Sequence, residues 1–162
     1  MTQTGHGRTP QLRVPWFEAV GGTAGEGSFM SATKTLDELT VTTTATQADA
    51  QLIVSLINGP LGMRASDGLS LLFSYDEPPT HAQFIKDHPV GSDGYKNMTA
   101  VLGLNEILGT FVKQGLLDRG LVHDTLWIAG AWKQCKPLVL HLRDKAGEPR
   151  IYENFEALAR TA

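Results

Sequence analysis

One pair of polar residues in this 162-residue chain interrupts an apolar segment. The segment is AVLGLNEILGTFVKQGLL at 100–117, where Asn105 and Glu106 interrupt a pattern that otherwise suits burial. At about 100° per residue, Ala100, Val101, Leu104, Ile107, Leu108, Phe111 and Val112 share one wide arc of a helix. Asn105 falls on the edge of that arc, where its amide needs a partner. Glu106 points the opposite way, alongside Thr99, Gly103, Thr110 and Lys113. An interior glycine costs a helix roughly 1 kcal/mol against alanine, so a face of Gly and Thr implies that another backbone comes close. Glu106 is therefore expected at a helix–helix contact. There it needs a cation or several donors, because an unpaired buried carboxylate is strongly disfavoured. A structural ion pair is the first reading, a solvated surface carboxylate the second, and a ligand-binding or catalytic carboxylate the third.

The cation is sought on the next long segment. If 121–146 is one helix, Leu121, Thr125, Ile128, Ala129, Trp132, Lys136, Val139 and Arg143 share a face. Lys136 and Arg143 then point with Trp132 toward the core. Arg143 is the preferred partner of Glu106, since a guanidinium satisfies a carboxylate bidentately and tolerates partial burial. Lys136 is second, because Pro137 disturbs the phase between the two. With Tyr152, these residues form the candidate polar cluster: Asn105, Glu106, Lys136, Arg143 and Tyr152, with His141 nearby. None is assigned a catalytic role.

Other chemistry finds less support. The histidines are His6, His81, His88, His123 and His141. His123 and His141 would stand roughly 27 Å apart along a straight helix. His81 and His88 could face one way but lack a third ligand, so no metal site is expected. Neighbours on a helix diverge, so His123-Asp124 is not a dyad. No serine lies in Gly-x-Ser-x-Gly. The run GGTAGEG lacks the Gly-Lys-Ser/Thr ending of a phosphate loop and follows no apolar strand, and no cofactor is expected. Cys135, near Lys133 and Lys136, reads as a small core residue before it reads as a reactive thiol.

Composition sets the outer bounds. The length suits one domain plus a tail. A net charge of −3 offers no field to recruit nucleic acid or an acidic membrane surface, and WKQCKP is a weak basic signal. The single cysteine excludes an intramolecular disulfide and favours a reducing, cytoplasmic setting. The stretch Val14 to Val20 is broken by Pro15 and Glu18, so neither a signal peptide nor a membrane span is expected.

Residues 1–30, rich in Gly, Thr and Ser with an apolar island at Val14, Trp16 and Phe17, read as a flexible, disordered tail. Residues 31–162 are expected to form a single helical domain. Thr46 caps a helix over about 47–58, with Asp49 three residues on. A second is favoured in 60–79, with Ser66 and Asp67 as caps, although LSLLF alone also suits a short strand. THAQFIKDHP is a short helix opened by Thr80 and closed before Pro89. GSDG opens a long helix over 92–115 that Gly115 ends. A further helix over 121–146 should kink or break at Pro137, and Pro149 should open the last one. In that last helix Ile151, Tyr152, Phe155, Leu158 and Ala159 make an apolar face. TVTTT at 40–44 is too polar and isolated to seed a sheet. The expected fold is all-α, an irregular bundle of five or six helices.

The segment from VLGLNEILGTFVKQGLLDRGLVHDTLW through AWKQCKPLVLHLRDKAGEPRIYENFEALA resembles the bacterial domain-of-unknown-function 4760 family. The likeness is carried by VKQGLLD after an apolar helix, Trp132, Arg143 and the final YENFEALA. It covers about 46–160 and is most specific over 100–160. The resemblance implies a small helical domain without an established activity. Many relatives begin with a membrane-spanning segment, which this sequence is not expected to carry. Trp132, Arg143, Tyr152, Phe155 and Glu156 match the pattern and read as core and inter-helix clamps. The functional expectation is a non-enzymatic protein-interaction or regulatory module acting through a partner protein or self-association. The alternative is a small-molecule-binding or hydrolase-like protein built on Glu106 and Arg143. That alternative requires those groups to converge beside an open pocket.

Overall fold

A computed structural model describes residues 45–161, which form seven helices and no strand. They are α1 (Gln47–Asn58), α2 (Pro60–Leu72), α3 (His81–Asp87), α4 (Asp93–Lys113), α5 (Arg119–Thr125), α6 (Ile128–Ala146) and α7 (Glu153–Ala159). The expected tail over 1–30, with its Trp16–Phe17 island, lies outside the described residues, as does TVTTT at 40–44.

Capping chemistry fixes most of the starts. Thr46 and Asp49 form a reciprocal capping box on α1. Thr80, Ser92 and Asp118 each accept a first-turn amide with a side-chain oxygen, opening α3, α4 and α5. Gly115 (φ 67°) and Gly147 (φ 64°) take up the left-handed backbone just beyond α4 and at the end of α6.

Three expectations are corrected. Helix α2 begins at Pro60, so Ser66 and Asp67 lie inside it rather than capping it; Pro60 suits a first helical position because its missing amide has no partner to lose there. The segment 121–146 is two helices, which brings the total to seven. The break falls at Leu126–Trp127 and not at Pro137. The Ile128 amide donates to the Leu126 carbonyl at 2.9 Å across Trp127 (φ −82°, ψ 70°), an inverse γ-turn. Helix α6 runs on through Pro137, whose missing amide withdraws the usual donor from the Lys133 carbonyl one turn back. Finally, α7 starts at Glu153, and Pro149 lies in the turn before it.

Helix α4 is the centre of the assembly, packing on α2 and α7. Its apolar residues Met98, Val101, Leu102 and Leu108 join Leu72 of α2, Phe84 of α3, Leu138 of α6 and Phe155 of α7 in one core. Glycines allow the closest approaches. A Cβ at Gly68 would stand 2.3 Å from the Asn97 carbonyl oxygen, and one at Gly109 would stand 2.3 Å from that of Asn154.

Candidate functional site

The second face of α4 does meet another element, and Glu106 is its anchor. Helix α7 starts without a side-chain cap of its own, because its N-cap position is Tyr152. Its first amides would be left without acceptors. Glu106 supplies them from α4: Oε2 accepts from the Phe155 amide at 2.9 Å, and Oε1 accepts from the Asn154 amide at 3.4 Å and from Asn154 Nδ2 at 2.7 Å. A carboxylate at a helix N-terminus is also favoured by the helix dipole. Thr110 Oγ1 accepts from the same Asn154 side chain at 3.1 Å, and Lys113 Nζ donates to Asn154 Oδ1 at 3.2 Å. The approach of backbone read from the Gly/Thr face occurs at Gly109, whereas a Cβ at Gly103 would meet nothing within 4 Å.

Glu106 is therefore not paired with Arg143, a correction to the expected ion pair. Arg143 serves a different carboxylate: Nη1 donates to Glu156 Oε2 at 2.7 Å, and Nε donates to the Ile151 carbonyl at 2.8 Å. Its guanidinium carbon stands 5.9 Å from the centroid of the Trp132 ring, which packs edge-on against Phe155 at 5.1 Å. Arg143 and Arg160 hold the Glu156 carboxyl below its ordinary range, the Arg143 hydrogen bond contributing most. Glu106 misses Arg143 because the turn 147–152 brings α7 between them, and α7 offers amides to one and a carboxylate to the other. Lys136 is exposed and makes no ion pair with the described residues, so the expectation that it faces the core is also corrected. Asn105 is buried and donates from Nδ2 to the Val101 carbonyl one turn back, at 2.8 Å.

What Glu106 and Arg143 share is Tyr152. Arg143 holds the carbonyl of Ile151 immediately before it, and Glu106 holds the amides of Asn154 and Phe155 just after it. Between these holds Tyr152 has φ 56° and ψ 36°, the left-handed region, and it is the only described residue other than glycine with a positive φ. A bulky side chain there is strained and persists only where its surroundings over-determine it.

The ring of Tyr152 lines a cleft of about 470 Å³ between α3, α4, α6 and the 147–152 turn. Leu142 and Ala146 of α6 and Ile151 of the turn give it an apolar floor, with the buried Met98, Leu102 and Leu138 beneath. Tyr95, Tyr152, His81 and Lys145 give it a polar rim, and no carboxylate lines it. The His81 ring stacks on His141 with centroids 3.8 Å apart. Burial lowers the pKa of His81, and His141 and Lys145 lower it further. Burial raises that of the Tyr152 phenol, with Tyr95, Glu106 and Cys135 adding to the effect. Cys135 itself is fully buried, and burial pushes its thiol up to about 12, which makes it inert as a nucleophile. Of the sequence-derived cluster only Tyr152 lies in the cleft.

A second surface feature was not legible at all. Trp127, at the γ-turn before α6, is 74% exposed and stacks on Phe73, which is 42% exposed, with centroids 5.5 Å apart and planes 2° from parallel. Its indole lies on Gly130, where a Cβ would come within 2.4 Å of the ring.

An all-α domain organised on one central helix, with a carboxylate-capped terminal helix and an amphipathic cleft, is the class that these features define. The chain belongs to the family described as Domain of unknown function (DUF4760), whose model matches residues 41–162. No curated protein and no solved structure matches it. No helix among the described residues is long and apolar enough to cross a membrane.

Proposed function

We propose that this domain is a non-enzymatic protein-interaction module whose contact surface centres on Phe73 and Trp127. The observation that carries the reading is that stacked, exposed aromatic pair. Tryptophan and its aromatic neighbours are enriched among the residues that dominate binding energy at protein interfaces. Here the indole is already fixed against Gly130 and Phe73, so docking would order little that is not ordered beforehand. The reactive groups weigh the other way for catalysis. Glu106 and Arg143 are each spent on holding α7, and Cys135 is buried. The single thiol of the sequence suits a cytoplasmic setting within the same reading.

The partner is a protein with an apolar pocket, and a second copy of this chain is the first candidate. Light scattering over a concentration series, together with pull-downs, compares the parent chain with Trp127→Ala and Phe73→Ala. Either a mass that rises with concentration or a captured protein is expected, weakened about tenfold or more by Trp127→Ala. A chain that stays monomeric and captures nothing, or capture that ignores both substitutions, overturns the proposal.

A further inference from the structure

The cleft beneath Tyr152 carries features that a protein-docking surface does not explain. Its floor is aliphatic, its rim holds donors and cations, and its lining lacks any carboxylate. The donors are also uncommitted: neither the Tyr95 nor the Tyr152 hydroxyl makes a hydrogen bond within the described residues, and Lys145 makes no ion pair there. These groups line one volume, whereas the nearby carboxylates of Glu106 and Glu156 are each hydrogen-bonded. Strain adds a second, independent observation. Tyr152 is held in a left-handed backbone by Arg143 on one side and Glu106 on the other, and the residue so held lines the cleft. Backbone strain maintained by such surrounding bonds is characteristic of positions that aim a side chain.

We propose that this cleft binds a small amphipathic carboxylate: an apolar body laid on Leu142, Ala146 and Ile151, over the buried Met98, Leu102 and Leu138, and an anionic head at the Lys145 and phenol rim. The volume of about 470 Å³ falls within the range of small-molecule sites. Charge complementarity selects the head group. Lys145 attracts a carboxylate and the phenols can donate to one, Tyr95 away from the Glu106 charge that acts on Tyr152, whereas an ammonium would meet Lys145 and find no counter-charge in the lining. The body must be aliphatic or aromatic, because a polar one would be desolvated against leucine and methionine without partners.

The probe is decanoate, compared with decanol and decylamine by calorimetry and by protein-observed nuclear magnetic resonance on the full chain. Decanoate is expected to bind saturably at one site, about tenfold or more tighter than either neutral or cationic analogue. Lys145→Glu should weaken it about tenfold, and Tyr152→Phe together with Tyr95→Phe should weaken it by a smaller factor while leaving decanol unchanged. Thr99→Trp, on an exposed rim position of α4, should fill the cleft and abolish binding. If Thr99→Trp does not fold, the tyrosine variants still decide the matter, because they leave the lining in place. Three results overturn the proposal: no saturable binding up to about 1 mM, decanol binding as tightly as decanoate, or resonance shifts that fall outside the cleft.

Discussion

Glu106 on α4 accepts the amide hydrogen of Phe155 on α7 at 2.9 Å, so a carboxylate caps a helix 49 residues away in the chain. A helix of seven residues has little stability of its own, and this one starts at a tyrosine that cannot cap it. Its place in the fold depends on the acceptor that α4 lends.

Glu106→Ala should accordingly cost about 2–3 kcal/mol, since it leaves the Asn154 and Phe155 amides without acceptors and the Asn154 side chain with Thr110 alone. Glu106→Gln keeps one acceptor oxygen and should cost less. Urea unfolding measures both. Amide hydrogen exchange locates the loss: protection of Asn154 and Phe155 should fall further than that of residues in α2. Uniform loss across the domain would contradict a local cap.

The two glycines beside Glu106 should respond with opposite signs. Gly103→Ala gains up to about 1 kcal/mol of helix propensity, with nothing within 4 Å for the new methyl group to meet. Gly109→Ala drives that methyl into the Asn154 carbonyl and should destabilise by about 1–3 kcal/mol. Thermal unfolding of the pair checks this, and equal shifts would mean that α7 does not approach α4 at Gly109.

Arg143 and Glu156 give an acid-sensitive contact. The folded Glu156 carboxyl has its pKa held below the ordinary 4.5 by Arg143 first and then Arg160. The contribution is therefore complete above that ordinary value, and it is lost as pH falls through it toward the folded value. Glu156→Gln should flatten this acid limb of the stability curve. Arg143→Lys should not restore it, because a single ammonium cannot reach both the Glu156 carboxylate and the Ile151 carbonyl as the guanidinium does.

His81 and His141 give a second pH dependence, closer to neutrality. His81 has its pKa lowered by burial, and by His141 and Lys145, so the unfolded chain binds its proton more readily than the folded one. Stability from this source is present above the ordinary value of 6.5 and declines as pH falls below it. Histidine resonances followed by pH titration should show His81 protonating at lower pH than an exposed histidine. His141→Asn should move it back toward the ordinary value.

Much of the architecture follows from the sequence alone, and the reason is local. Thr46, Thr80 and Ser92 cap the helices that follow them, because a cap and its amide lie within one turn. Gly115 marks the end of α4 because a positive φ favours glycine. The apolar arc of α4 and the second face behind Glu106 were legible for the same reason, since periodicity is a property of neighbouring residues. The break at Leu126–Trp127 was not. No proline or glycine stands there, and the γ-turn rests on how Trp127 settles on Gly130 and Phe73.

What tertiary structure alone decided is which polar groups meet. The sequence determines that Glu106 must find donors and that Arg143 must find an acceptor, because burial makes an unpaired charge costly. It cannot say that Glu106 finds the backbone amides of Asn154 and Phe155, for an amide is present at every residue but proline and carries no sequence signature. Nor can it say that Arg143 turns to Glu156, since that choice depends on the left-handed turn at Tyr152 placing α7 between the two. The cleft has the same origin: His81 and Tyr95 lie fifty residues or more before Lys145 and Tyr152, and only the packing of α3, α4 and α6 brings the two groups to one volume.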